Sequence, residues 1–96
     1  MRSAYIVAYD IADPKRLRRV AQLLLGFGNR VQYSVFRCEL NPRERAQLRT
    51  RLDATIHHMV DQVLFIELGP VGGQTDDSIF SLGRPYLAPD RGAIVL

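Results

Sequence analysis

Tryptophan is absent from these 96 residues, and cysteine and lysine each occur once. The single Cys38 excludes an intramolecular disulfide framework and any cysteine-based zinc cluster. Apolar runs such as Tyr5–Tyr9 fall far short of the ~20 residues needed to cross a bilayer. The first residues also lack a charged-then-apolar leader, so the expectation is a soluble cytoplasmic protein with no membrane partner. The only histidines, His57 and His58, are adjacent and point different ways, which argues against a metal pair and a Ser–His triad. The glycines of 69–73 have no strand-to-helix setting, so a phosphate-cradling loop is not expected. No aromatic-rich strand of the RNA-recognition-motif kind is present.

Arginine is abundant, and its charge is unevenly spread. Twelve of the thirteen basic residues are arginine, the side chain best shaped for bidentate phosphate contact. Residues 1–51 carry eleven bases against four acids, a net +7, and residues 52–96 two bases against six acids, a net −4. A polyanion partner for the first half is the natural reading, the alternative being solvated arginine-rich helix faces.

Length allows one domain. Tyr5-Ile6-Val7-Ala8-Tyr9 reads as a strand apolar on both faces, closed by Asp10. Asp13 as N-cap and Pro14 at the first helical position open a helix to about Phe27. Its inward stripe is Leu17, Val20, Ala21, Leu24 and Leu25, and a glycine cap in the left-handed conformation is expected within 26–28. Arg30 to Leu40 has strand character, Val31, Tyr33 and Val35 alternating with Arg30, Gln32, Ser34 and Phe36; its length leaves open a bend, a bulge or two short strands. Asn41, Pro42 and Glu44 form a capping-box start for a second helix ending near His58, with Ala46, Leu48, Leu52, Thr55 and Ile56 inward. Gln62–Leu68 is a further buried strand, and Ile79–Leu82 reads as a short one. This order fits an α+β sandwich with two helices on one sheet face. The two-sided apolarity of the first strand calls for a cover on the other face, most cheaply a second copy of the chain in a two-fold homodimer.

Asp10, an acid at a strand end before a basic helix, is the leading site residue; the alternative is a hydrogen-bonding role in the turn. One carboxylate holds Mg²⁺ poorly, but two-fold symmetry can bring two together around one ion. Tyr9 is either core filler or a polar tip at the site. Arg16 and Arg19 either clamp a phosphate or are solvated, and Arg18 lies on the outward face of the same helix. Ser34, polar inside an apolar strand, needs a hydrogen-bond partner, and Phe36 reads as core or interface.

Tyr9-Asp10-Ile11, Asp13 opening a basic helix, and Gly28-Asn29-Arg30-Val31-Gln32-Tyr33-Ser34-Val35-Phe36 together resemble the CRISPR-associated protein 2 family, the small subunit of the spacer-capturing adaptation machinery. The resemblance extends to about Leu82. It implies a ferredoxin-like βαββαβ fold over residues 1–82 and a homodimer packed through its sheets. The tail 83–96 would add a strand to the partner protomer. It places the family's metal-binding acid on Asp10, its neighbouring tyrosine on Tyr9 and a helix base on Arg19. Its later arginine, serine and phenylalanine fall on Arg30, Ser34 and Phe36. Arg16 or Arg18 would compensate for the base the family often carries where this chain has Leu17. The implied activity is Mg²⁺-dependent endonuclease cleavage of single-stranded RNA or double-stranded DNA. The implied assembly bridges the CRISPR adaptation integrase and holds protospacer duplex. The alternatives are a toxin-like ribonuclease of the virulence-associated D type, whose fold is similar, and a nucleic-acid-binding adaptor without catalysis.

Overall fold

In a computed structural model, residues 1–72 and 78–87 are described. The elements run β1 (Ser3–Asp10), α1 (Pro14–Leu25), β2 (Gly28–Gln32), β3 (Val35–Leu40), α2 (Pro42–Thr55) and β4 (Gln62–Pro70). The strands form one antiparallel sheet in the order β2-β3-β1-β4, with both helices packed on one face, the ferredoxin-like βαββαβ arrangement.

Local chemistry sets the helix boundaries. Asp13 sits in extended backbone and its carboxylate accepts from the Arg16 N–H at 2.9 Å, with Pro14 supplying a pre-set first turn. That bond holds the Asp13 carboxyl below its ordinary pKa. Asn41 accepts from the Glu44 N–H at 2.8 Å while the Glu44 carboxylate accepts from the Asn41 N–H at 2.9 Å, a complete capping box. The helices are shorter than their patterns suggest, ending at Leu25 and Thr55. Gly26 keeps right-handed dihedrals (φ −76°), because its N–H reaches back to Leu23 and Leu24 and tightens the last turn; the left-handed cap is not used. Gly28 serves another purpose. A Cβ there would lie 2.4 Å from the Arg37 carbonyl oxygen and 2.6 Å from Cys38 Sγ, so only glycine lets β2 start against β3.

The Arg30–Leu40 stretch resolves into two strands joined at Tyr33–Ser34. The turn breaks the alternation, so Tyr33 leaves the sheet instead of continuing the strand.

The core lies between the helices and one sheet face. Tyr5, Val7 and Tyr9 of β1 and Phe36, Cys38 and Leu40 of β3 meet Val20 and Leu24 of α1 and Leu48 and Leu52 of α2. Each helix contributes an i, i+4 pair, and burying such aliphatic side chains stabilises the fold by roughly 1.5–3 kcal/mol apiece. Leu25 and Ala46, expected inward, are exposed, while Leu23 and Ile56 flank the core. Cys38 is fully buried, and desolvation pushes its thiol up to about 11.

The opposite sheet face carries no helix. Alternation places Ala4, Ile6, Ala8 and Asp10 of β1 on it, with Val35, Arg37 and Glu39 of β3 and Leu64 and Ile66 of β4 as neighbours. Leu64 and Ile66 remain 47% and 49% exposed. β1 is therefore buried on one face, whereas on the other Ala4 is fully buried, Ile6 and Ala8 are half-buried and Asp10 is exposed; Arg37, beside Ile6, is also buried and pairs with Glu39 at 2.7 Å. The strand expected at Ile79–Leu82 does not form: these residues pair with none of the four strands, and Phe80 and Leu82 face solvent. Four residues without a neighbouring edge cannot satisfy their main-chain groups as a strand. The expected tail strand falls mainly on residues 88–96, outside the described residues. Among the described residues no helix is long and apolar enough to cross a membrane.

Candidate active site and nucleic-acid interface

At one end of the sheet β1 finishes, the β2–β3 turn reverses, and the α2–β4 loop feeds β4. Asp10 is the last residue of β1, exposed, opposite Gln62 of β4. Tyr9, one residue earlier, faces the other way and is buried. Its hydroxyl donates to the Tyr33 carbonyl at 3.2 Å, and its N–H donates to the Ser34 carbonyl at 3.1 Å. Burial raises the Tyr9 pKa above its ordinary value; the Arg30 charge works against this and Tyr33 adds to it. A neutral, core-lodged phenol of this kind holds the turn beside Asp10. Ser34 reaches the same place through its main chain, and its hydroxyl has no hydrogen-bond partner among the described residues.

Arg30 is exposed on β2, donates to the Tyr33 carbonyl at 2.9 Å, and lies 5.1 Å over the Phe36 ring. Phe36 is fully buried, 6.2 Å from the Tyr9 ring. It therefore underpins Arg30 and Tyr9 from within the core and presents no face to a nucleobase. Tyr9, Ser34, Arg30 and Phe36 thus form one cluster from β1, β2, β3 and the turn, and Asp10 follows Tyr9 in the chain but lies on the opposite sheet face.

The three arginines of α1 part company. Arg16 turns inward to Asp61, Nε to Oδ2 at 2.7 Å and Nη2 to Oδ1 at 3.2 Å. Arg18 and Arg19 are exposed and, with Lys15 and Gln22, face Arg51, Ala54 and Thr55 of α2 across an open groove of about 870 Å³. This groove belongs to the helix layer, whereas Asp10 belongs to the sheet face that carries no helix. Lys15, Arg18, Arg19 and Arg51 form no ion pair among the described residues. Leu17 packs against the core.

Asp61 is a residue the sequence reading missed. Its side chain is wholly buried, and its two oxygens also accept from the Ala12 N–H and the His57 N–H, each at 2.8 Å. Four donors satisfy the carboxylate, which the Arg16 guanidinium above all holds far below the usual range. Asp61 fastens the β1–α1 turn to the α2–β4 loop, two residues after Asp10. The sole sequence signal is an acid before an apolar strand, which ordinarily marks an exposed turn. His57 and His58 are exposed in that loop, His58 Nε2 lying 2.9 Å from Asp53 Oδ1. No group of three or more His, Cys, Asp or Glu side chains that could hold a metal occurs among the described residues. Asp10 alone is a hard oxygen donor open to solvent; that suits hydrated Mg²⁺ only if a second carboxylate joins it.

The profile of the family described as CRISPR associated protein Cas2 matches residues 3–72. A Rhodospirillum rubrum protein named CRISPR-associated endoribonuclease Cas2 1 is 41% identical over 97% of this chain and 90% of its own length. The Geobacter sulfurreducens CRISPR-associated endoribonuclease Cas2 is 31% identical over the whole of both chains. Among solved structures, Streptococcus pyogenes Cas2 superposes with a TM-score of 0.73 at 34% identity, covering 83% of this chain and 99% of that one. A hypothetical protein from Thermus thermophilus gives 0.76 at 37% identity, over 91% and 98%.

Proposed function

This chain belongs to the CRISPR-associated protein Cas2 family, and from that premise we propose that it is a homodimeric endonuclease whose reacting centre is a pair of Asp10 carboxylates, one from each protomer. The observation that carries this reading is the position of Asp10 at the rim of the helix-free sheet face, in alternation with Ile6 and Ala8 and beside the half-exposed Leu64 and Ile66. A two-fold partner covering Ile6, Ala8, Leu64 and Ile66 removes exposed apolar surface and can bring a second carboxylate towards the first. That partner supplies what one chain lacks for a divalent ion. Bound by both Asp10 side chains and water, Mg²⁺ would offset charge at the scissile phosphate and favour ionisation of water. The names of the relatives, endoribonucleases, point to phosphodiester bonds in RNA.

The chain's own groups then have distinct work. Arg30 keeps its main-chain bond to Tyr33 and has further N–H groups, unbonded among the described residues, that can meet a phosphate oxygen. Tyr9 and Ser34 hold the turn against the end of β1, and Asp61 holds Ala12 on the other side. The test is a cleavage assay of wild type and Asp10→Ala on single-stranded RNA and double-stranded DNA, with Mg²⁺ or with EDTA. Metal-dependent cleavage should vanish in the variant while light scattering still reports a dimer. Undiminished cleavage in Asp10→Ala would refute the assignment.

The groove between α1 and α2 favours a second role, an adaptor that carries protospacer duplex and bridges the adaptation integrase. Four cations line it with no acidic partner among the described residues, which suits a phosphate backbone. Under this reading Asp10→Ala leaves spacer acquisition intact, and charge reversal at Arg18, Arg19 and Arg51 abolishes it. Acquisition that survives the triple reversal would rule it out.

A further inference from the structure

Tyr33 combines an exposed ring with a firmly anchored main chain. It is 72% exposed at the tip of the β2–β3 hairpin. Its carbonyl accepts from two side chains, the Tyr9 hydroxyl at 3.2 Å and Arg30 Nη1 at 2.9 Å. The next carbonyl, that of Ser34, accepts from the Tyr9 N–H. These bonds tie the tip to the residue immediately before Asp10. Exposed Arg30 and Gln32 precede Tyr33 in the chain, and Arg30 is tied to the Tyr33 carbonyl. A ring mounted on a fixed turn loses little freedom when something stacks on it.

We propose that Tyr33 is a nucleobase-stacking residue that docks an unpaired nucleotide beside Asp10. The location of the reacting centre rests on the reading above; the stacking itself does not require cleavage. Three features select this ligand. A phosphate can reach Arg30 while the attached base covers Tyr33, so one nucleotide uses both neighbours. The ring protrudes from a turn, a shape suited to a splayed base and unsuited to reading a groove edge. Bases inside a duplex already have both faces covered, so Tyr33 discriminates in favour of single strands and frayed ends. Tyr9 and Phe36, the aromatics beneath the turn, cannot serve because both are buried.

The experiment uses the Asp10→Ala dimer in EDTA, where no strand is cut, with oligonucleotides carrying 2-aminopurine at successive positions. Quenching is expected at one position of a bound single strand. Adding Tyr33→Ala should remove the quench and weaken single-strand binding by about tenfold or more, with duplex affinity little changed. Tyr33→Phe should restore both quench and affinity. The proposal is overturned if Tyr33→Ala binds and quenches as its parent does, if duplex and single strand lose affinity equally, or if the loss follows dissociation of the dimer. A wild type that quenches but never cleaves would discard the nuclease reading and leave the stacking role standing.

Discussion

Replacing Phe36 with leucine separates a core role from a direct nucleic-acid contact, because the two predict opposite changes in stability and binding. The side chain is fully buried, packs at 6.2 Å from the Tyr9 ring with a 32° tilt, and supports Arg30 at 5.1 Å. Leucine keeps the site apolar but changes its shape, a repacking that costs about 1 kcal/mol. Loss of the aromatic pair with Tyr9 adds about 0.5–1.5 kcal/mol. Loss of the cation–π contact adds about 0.5 kcal/mol, its lower range, because Arg30 is solvent-exposed. The total, about 2–3 kcal/mol, is a large share of the ~5–14 kcal/mol available to a domain of this length. A fall in Tm of roughly 10–20 °C should follow. Urea titration and calorimetry measure the loss, and affinity for a single-stranded oligonucleotide is read well below the variant's Tm. Affinity should stay within about twofold of wild type, since a core side chain touches no ligand and a refolded variant retains Arg30 and Tyr33. Unchanged stability together with lost binding would show that Phe36 meets the nucleic acid, and the burial argument would fail.

Two further perturbations bear on the buried ion pair and the basic groove. Asp61 titrates lower in the folded chain than its ordinary 3.8, so the stability it contributes is complete above about pH 4 and is lost as the pH falls towards its folded value. Asp61→Asn should lower Tm at pH 7, with the wild-type and variant curves converging in acid; a constant gap from pH 7 to pH 2 would contradict the assignment. Asp13 and Glu44 are also held low by their capping bonds, so wild type should retain some acid sensitivity beyond Asp61. Reversing Arg18, Arg19 and Arg51 together should weaken duplex binding and flatten the slope of log K against log salt by roughly 2–3. An unchanged slope would place the phosphate contacts elsewhere on the surface.

Most of the secondary structure, and the family, can be read along the chain. Asp13-Pro14 and Asn41-Pro42 with Glu44 open helices by bonds made within three residues, and Val20/Leu24 and Leu48/Leu52 show their buried faces through spacing alone. The acid at the end of β1 was legible because Tyr5–Tyr9 is a continuous apolar strand that Asp10 terminates. Tertiary structure decided what depends on distant segments meeting. Arg16 and Arg18 look alike in sequence, yet Arg16 pairs with Asp61, forty-five residues away, and Arg18 lines a groove with Arg51. Tyr33 and Phe36 both read as strand aromatics, but the turn at Tyr33–Ser34 sends one into solvent and the register of β3 with β1 sends the other into the core. Local hydrogen bonds and side-chain periodicity are written along the chain, so a sequence can report them. The partner of a buried charge and the facing of a residue beside a turn depend on the packing of remote elements, and only the folded chain specifies them.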